Sequence, residues 1–112
     1  MEKDRNACAC ISENLIFTKL EKDARVICQD ASSAILRMRS EAPFDLIFMD
    51  PPYDRQLERQ VLDAFSDYSL ADEYTLIIVE ASLETPFDDL QGYRVTREKN
   101  YKTNKHVFIR KE

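Results

Sequence analysis

Asp50-Pro51-Pro52-Tyr53 is the stretch of this sequence whose residue types and spacing can do chemistry. Pro51 holds Asp50 extended, and neither proline has a backbone N–H to compete for acceptors. The Asp50 carboxylate and the Pro51 carbonyl are therefore two acceptors fixed one residue apart. Two acceptors match the two N–H bonds of an exocyclic amine on a nucleobase, whose lone pair is delocalised into the ring and is a poor nucleophile. Hydrogen bonds from both protons favour a tetrahedral nitrogen and aim its lone pair at an electrophile. Tyr53 offers a flat face for the base, and such stacking contributes roughly 1–3 kcal/mol. A strand ending in a proline turn accounts for the same four letters without chemistry. The apolar run before them and the helical pattern after them favour the chemical reading.

The elements that must position this tip can be read from hydropathy. Phe44 to Met49 leads into Asp50, and Leu46, Ile47, Phe48 and Met49 are apolar without alternation, as in a strand covered on both faces by helices. That puts Asp50 at the carboxyl end of a central strand, where open α/β sheets bind their ligands. Before it, the spacing of Cys8, Ile11, Leu15 and Ile16 predicts a helix that Asp4 caps. Arg25 to Gln29 reads as a short strand, and Asp30 caps a helix running to about Arg39 with Ala31, Ala34, Ile35 and Met38 on its apolar face. After it come a helix from about Arg55 to Tyr68, a second wholly apolar strand from Thr75 to Glu80, and an antiparallel hairpin of Tyr93–Glu98 with His106–Arg110. Helix–strand alternation followed by a hairpin indicates an α/β three-layer sandwich.

Composition bounds the class. A chain of 112 residues, 44% hydrophobic and 33% charged with a net charge of -5, reads as a single soluble domain spanning 1–112. No apolar stretch approaches the roughly 18 residues of a membrane span. Cys8, Cys10 and Cys28 fit neither a disulfide framework nor a zinc ribbon; they read as small core residues, which points to a reducing cytoplasm and no metal. His106, the single histidine, reads as structural or solvated.

The order of these features resembles the class I S-adenosylmethionine-dependent methyltransferases. More narrowly it resembles the bacterial 16S ribosomal RNA guanine-N2 methyltransferase (RsmD) family. The residues that carry the likeness are Glu2-Lys3-Asp4-Arg5-Asn6-Ala7, Asn14, Asp30-Ala31, Phe44 to Tyr53, and Gly92-Tyr93 through Lys102-Thr103 to Phe108. The likeness covers about the second half of that family. It implies a partial Rossmann-like fold lacking the first strand, its Gly-rich cofactor loop and the following helix; Gly92 is the only glycine here. It also implies S-adenosylmethionine as cofactor and ribosomal RNA or the small ribosomal subunit as partner, with rRNA processing as the setting. Carried over residue by residue, Glu2 would hold the cofactor's ribose hydroxyls, Asp30 would read the adenine amine with Ala31 against the ring, and Asp50, Pro51, Pro52 and Tyr53 would be the catalytic tip.

Three further expectations follow. The absent first strand leaves the 44–50 strand with an open apolar edge, so the chain either dimerises through that edge or slides its Val26 strand into the gap. Arg94, Arg97, Lys99, Lys102, Lys105, Arg110 and Lys111 cluster near the end; Lys99, Lys102 and Lys105, with Tyr53, are the candidate RNA contacts, against the plainer reading of a solvated charged face. Rival functions are methylation of adenine-N6 or cytosine-N4 in DNA, and a truncated remnant that binds no cofactor.

Overall fold

In the computed structural model, residues 1–52 and 57–112 are described, and the chain forms two compact units, Met1–Met38 and Arg39–Glu112. Helix α1 spans Arg5–Phe17. It starts where expected because Asp4 Oδ1 accepts from the Asn6 and Ala7 amides at 2.8 and 3.2 Å. Helix α2 spans Ala31–Arg37, and Asp30 Oδ2 accepts from the Ser33 amide at 3.1 Å. The strand expected over Arg25–Gln29 shrinks to one parallel bridge, Glu2 with Cys28, in which the Glu2 amide donates to the Ile27 carbonyl at 3.1 Å. Cys8, Ile27, Ala34, Ile35 and Met38 are the buried apolar residues of this unit.

Two expectations for this unit are corrected. The predicted apolar stripe of α1 is buried only at Cys8, while Ile11 and Ile16 are exposed. The other elements of this unit are the seven-residue α2, a three-residue turn of 3-10 helix at Glu21–Asp23 and a two-residue strand remnant, too little surface to cover a 13-residue helix. The cysteines are also not all independent core residues. Cys8 and Cys28 form a disulfide with their Cα atoms 6.0 Å apart, and Cys10 is exposed. The Glu2–Cys28 bridge brings residue 28 beside the first turn of α1, a proximity that a separation of 20 residues conceals.

The second unit is a four-stranded sheet with α3. Strand β1 is Leu46–Met49, α3 is Leu57–Tyr68, β2 is Leu76–Ala81, β3 is Tyr93–Asn100 and β4 is Lys105–Lys111. The order is β1-β2-β4-β3, with β1 parallel to β2 and the other pairs antiparallel. The predicted hairpin is present, with a register irregularity between Val95 and Arg97. One face of the sheet carries Ile77, Val79, Val107 and Ile109, each 0% exposed, and α3 buries Val61, Leu62 and Phe65. Tyr93 joins helix to sheet: its hydroxyl donates to the Leu62 carbonyl at 2.8 Å and accepts from Ser66 Oγ at 3.1 Å. Burial raises the Tyr93 pKa, which keeps the phenol protonated as that donor.

The expectation that the Asp50 strand is covered on both faces is not met. Leu46 and Phe48 are 58% and 56% exposed, and β2 alternates between half-buried and buried positions. Among the described residues of this unit α3 is the one helix, so an unalternating apolar run has one face left open. Among the described residues β1 pairs with β2 alone and lies at the sheet edge.

Candidate active site at the carboxyl ends of two parallel strands

The two parallel strands have the same design, four apolar residues followed by an acid: Leu46-Ile47-Phe48-Met49-Asp50 and Leu76-Ile77-Ile78-Val79-Glu80. Their register pairs Leu46 with Leu76 through Met49 with Val79. The chain therefore leaves the sheet with Asp50 next to Glu80. Hydrogen bonding with Asp50 raises the Glu80 pKa, burial and the Asp50 charge raise it further, and His106 opposes them.

His106 faces Glu80 across the β2–β4 ladder, with Nε2 3.9 Å from Glu80 Oε1. Its ring meets Phe48 edge-on at 5.9 Å and Tyr101 at 4.9 Å between centroids. Because opposed residues share a face, Asp50, Glu80, His106 and Lys99 make one row of the open face, and Phe48, Ile78, Phe108 and Arg97 make the next. A third row brings Arg94 directly opposite Arg110. Arg97 lies over the Phe108 ring at 5.6 Å and Lys99 over the Tyr101 ring at 5.3 Å, so cations and aromatic rings interleave on this face.

The predicted residues fall into separate places. Asp50, exposed, follows the last residue of β1, with Pro51 and Pro52 after it; Tyr53 lies outside the described residues. Lys99 and Lys102 are exposed on β3 and in the hairpin turn. Lys105 is placed otherwise: alternation turns it to the buried face, where its ammonium meets Glu98 at 3.2 Å and lies over Phe87. In the first unit, Glu2 is one partner of the parallel bridge, and Asp30 lies two residues past the other partner, Cys28. One oxygen of each is engaged locally, Glu2 Oε1 by the Asp4 amide at 3.1 Å and Asp30 Oδ2 by Ser33. The Asp30 pKa is lowered by these Ser33 hydrogen bonds. Beside Asp30, Gln29 Oε1 is buried without a hydrogen-bond partner. Sequence reasoning passed over Glu80, Gln29 and the setting of His106, although the repeated apolar-run-plus-acid pattern was there to find Glu80.

A sheet with parallel strands ending in carboxylates and a terminal antiparallel hairpin defines part of a Rossmann-like methyltransferase fold. The family described as "Conserved hypothetical protein 95" matches residues 1–110, and the chain belongs to that family, the RsmD-like methyltransferases. It is 30% identical over 103 residues to YlbH of Bacillus subtilis, provisionally named an rRNA methyltransferase, covering 90% of this chain and 56% of that protein. It is 24% identical over 100 residues to the Haemophilus influenzae ribosomal RNA small subunit methyltransferase D, covering 88% of this chain and 52% of that one. Among solved structures, a conserved hypothetical protein from Streptococcus pyogenes superposes with a TM-score of 0.86 at 28% identity, over 99% of this chain and 69% of that one. The chain spans about half the length of the curated relatives it matches.

Proposed function

We propose that residues 1–112 are part of one methyltransferase domain that uses S-adenosylmethionine to methylate the exocyclic N2 amine of a guanine in 16S ribosomal RNA. The observation that carries this reading is Asp50 at the carboxyl end of a parallel strand, exposed and followed by two prolines, in a chain similar in sequence to named rRNA methyltransferases. A carboxylate and the Pro51 carbonyl accept the two protons of an amine, and the rigid diproline keeps their spacing. Tyr53 is the proposed stacking surface for a flipped or unpaired base.

The residues of the first unit suit the cofactor's nucleoside end. Glu2 and Asp30 each offer a carboxylate oxygen beside the one engaged locally, and the orphaned Gln29 Oε1 is an acceptor in want of an N–H donor such as an adenine amine. Ala31 begins α2 next to them. When bound, the cofactor supplies an electrophilic methyl group; this chain's residues hold its sugar and base and present the amine. RNA contacts are assigned to Lys99 and Lys102 on the exposed β3 edge and turn, joined by Arg94 and Arg97. Lys105 is left out because Glu98 already neutralises it.

The test is calorimetric titration of the purified chain with S-adenosylmethionine, followed by transfer of labelled methyl groups to 16S rRNA and to duplex DNA. Micromolar binding and rRNA labelling are expected. Labelling of DNA alone would move the target to adenine-N6 or cytosine-N4, and a folded chain that binds no cofactor would make it a non-catalytic remnant. Asp50→Ala is expected to lower transfer by about a thousandfold, the scale of losing a positioning group, while cofactor binding survives. Wild-type turnover in that variant would remove Asp50 from the mechanism.

A further inference from the structure

Glu80 and His106 lie outside the Asp50–Tyr53 motif but are joined to it. The β1–β2 register sets Asp50 beside Glu80, and because two ionised carboxylates are acceptors only, a hydrogen bond between them needs a proton on one. His106 is held in a fixed orientation between Phe48 and Tyr101, with Nε2 toward Glu80 and 27% of its side chain open to solvent. The 3.9 Å gap to Glu80 Oε1 is just beyond direct hydrogen bonding and within reach of a small ring movement or one bridging water.

We propose that Asp50, Glu80 and His106 form a proton relay, in which one proton is shared by the two carboxyl groups and His106 is its outlet to solvent. The proposal rests on the amine-methylating reading above and supplies the base that reading leaves unnamed. An amine nitrogen that gains a carbon substituent becomes cationic and must lose a proton. Its N–H bond breaks, the electron pair stays on nitrogen, and the proton moves to the free oxygen of Asp50. The carboxyl pair then holds one proton too many. The surplus passes from Glu80 to the neutral Nε2 of His106, and the imidazolium releases a proton to water, restoring the single shared proton.

The charges around Glu80 are arranged for this. Asp50 faces it from the end of β1 and His106 from β4. Lys99, the register partner of His106 on β3, has its ammonium over the Tyr101 ring. Lys105, next to His106 in sequence, is turned to the other face and bound to Glu98. A proton shared by the carboxyls also explains how two acids sit side by side at a strand end with no cation between them among the described residues.

The decisive experiment is a carbon-detected NMR titration of the side-chain carboxyls in the full chain, compared with Asp50→Asn and His106→Gln. Glu80 is expected to titrate above a free glutamate, to fall back in Asp50→Asn, and to rise further in His106→Gln, where the opposing imidazolium charge is gone. A Glu80 that titrates like a free glutamate, or that ignores Asp50→Asn, overturns the shared proton. An unmoved Glu80 in His106→Gln overturns the outlet. No methyl donor is needed, so a coupled pair in a chain that binds no cofactor sinks the functional reading alone. In the transfer assay Glu80→Gln still donates to Asp50 but passes no proton on. It is expected to lose about tenfold or more in kcat at unchanged KM; wild-type kcat would overturn the relay.

Discussion

The sheet of the second unit ends on one side in β1 and on the other in β3, and the two edge strands are built differently. β1 is four residues long, wholly apolar, with Leu46 and Phe48 more than half exposed. β3 is eight residues long, is exposed at every position but Tyr93, and carries Arg94, Arg97, Glu98 and Lys99. An irregularity between Val95 and Arg97 interrupts its pairing. Charge and bulges are what native edges use to refuse another strand. β3 is therefore composed as an edge, whereas β1 has the composition of an interior strand placed at an edge. The candidate active site hangs from the second kind: Asp50 is the first residue past β1.

The largest effect follows from that mismatch. The chain is expected to associate through β1, and Leu46→Lys with Phe48→Lys together are expected to abolish the association, because paired lysines on an edge block strand addition. Sedimentation velocity reads it directly. A monodisperse wild-type monomer at high concentration would show that the apolar edge tolerates water, and the contrast between the edges would lose its meaning.

A smaller effect concerns how β1 is held at all. With β2 as its one neighbour, β1 depends on its entry: Thr75 is fully buried, its Oγ1 donates to the Phe44 carbonyl at 2.6 Å and accepts from the Asp72 amide at 3.0 Å, and the Phe44 amide donates to the Leu70 carbonyl. Thr75→Val keeps the shape and strands both partners, so denaturant unfolding is expected to show a loss of about 1–3 kcal/mol. A loss within a few tenths of a kcal/mol would mean that β1 is secured by its ladder to β2 without this clasp.

How much of this was legible in the sequence depends on how local the signal is. Asp4 and Asp30 were readable as caps because a cap is decided within three residues. The hairpin and both parallel strands were readable from apolar runs and a polar turn. Asp50 was readable because proline restricts its neighbour regardless of fold. What failed was everything set by a distant partner. The Cys8–Cys28 bond, the burial of Lys105 and the open face of β1 each depend on which segment lies alongside, and local residue spacing does not record that. Glu80 falls between the two cases. Its strand was recognised, and only the in-register pairing with β1 turned an acid at a strand end into a partner of Asp50.

The β3 edge can be tested on its own terms. Arg94 and Arg110 are opposed across the ladder, an unfavourable pair unless an anion lies nearby, and Lys99 and Lys102 extend the positive row into the turn. Reversing Lys99 and Lys102 to Glu is expected to weaken rRNA binding roughly tenfold and to lower the salt slope by about 2, one for each phosphate contact removed. Unchanged affinity and slope would leave β3 as a solvated edge whose charges serve only to prevent pairing, which would sharpen its contrast with β1 rather than erase it.

The smallest effect lies in the first unit and separates its structural role from its binding role. The Asp30 carboxyl is held below the ordinary aspartate value by the Ser33 hydrogen bonds that cap α2. A group whose folded pKa is depressed adds stability above its unfolded value, and that stability is lost as pH falls through the folded value. Thermal unfolding followed on the acid side is therefore expected to show Asp30→Asn and the wild type diverging at neutral pH and converging once the cap is protonated. Because Asp30 is fully exposed, the divergence is small. Cofactor binding measured across the same range answers the other half. If Asp30→Asn keeps the acid-side stability curve of a capped helix but loses the cofactor, the carboxylate serves the ligand; if stability shifts and binding does not, Asp30 is a cap and nothing more.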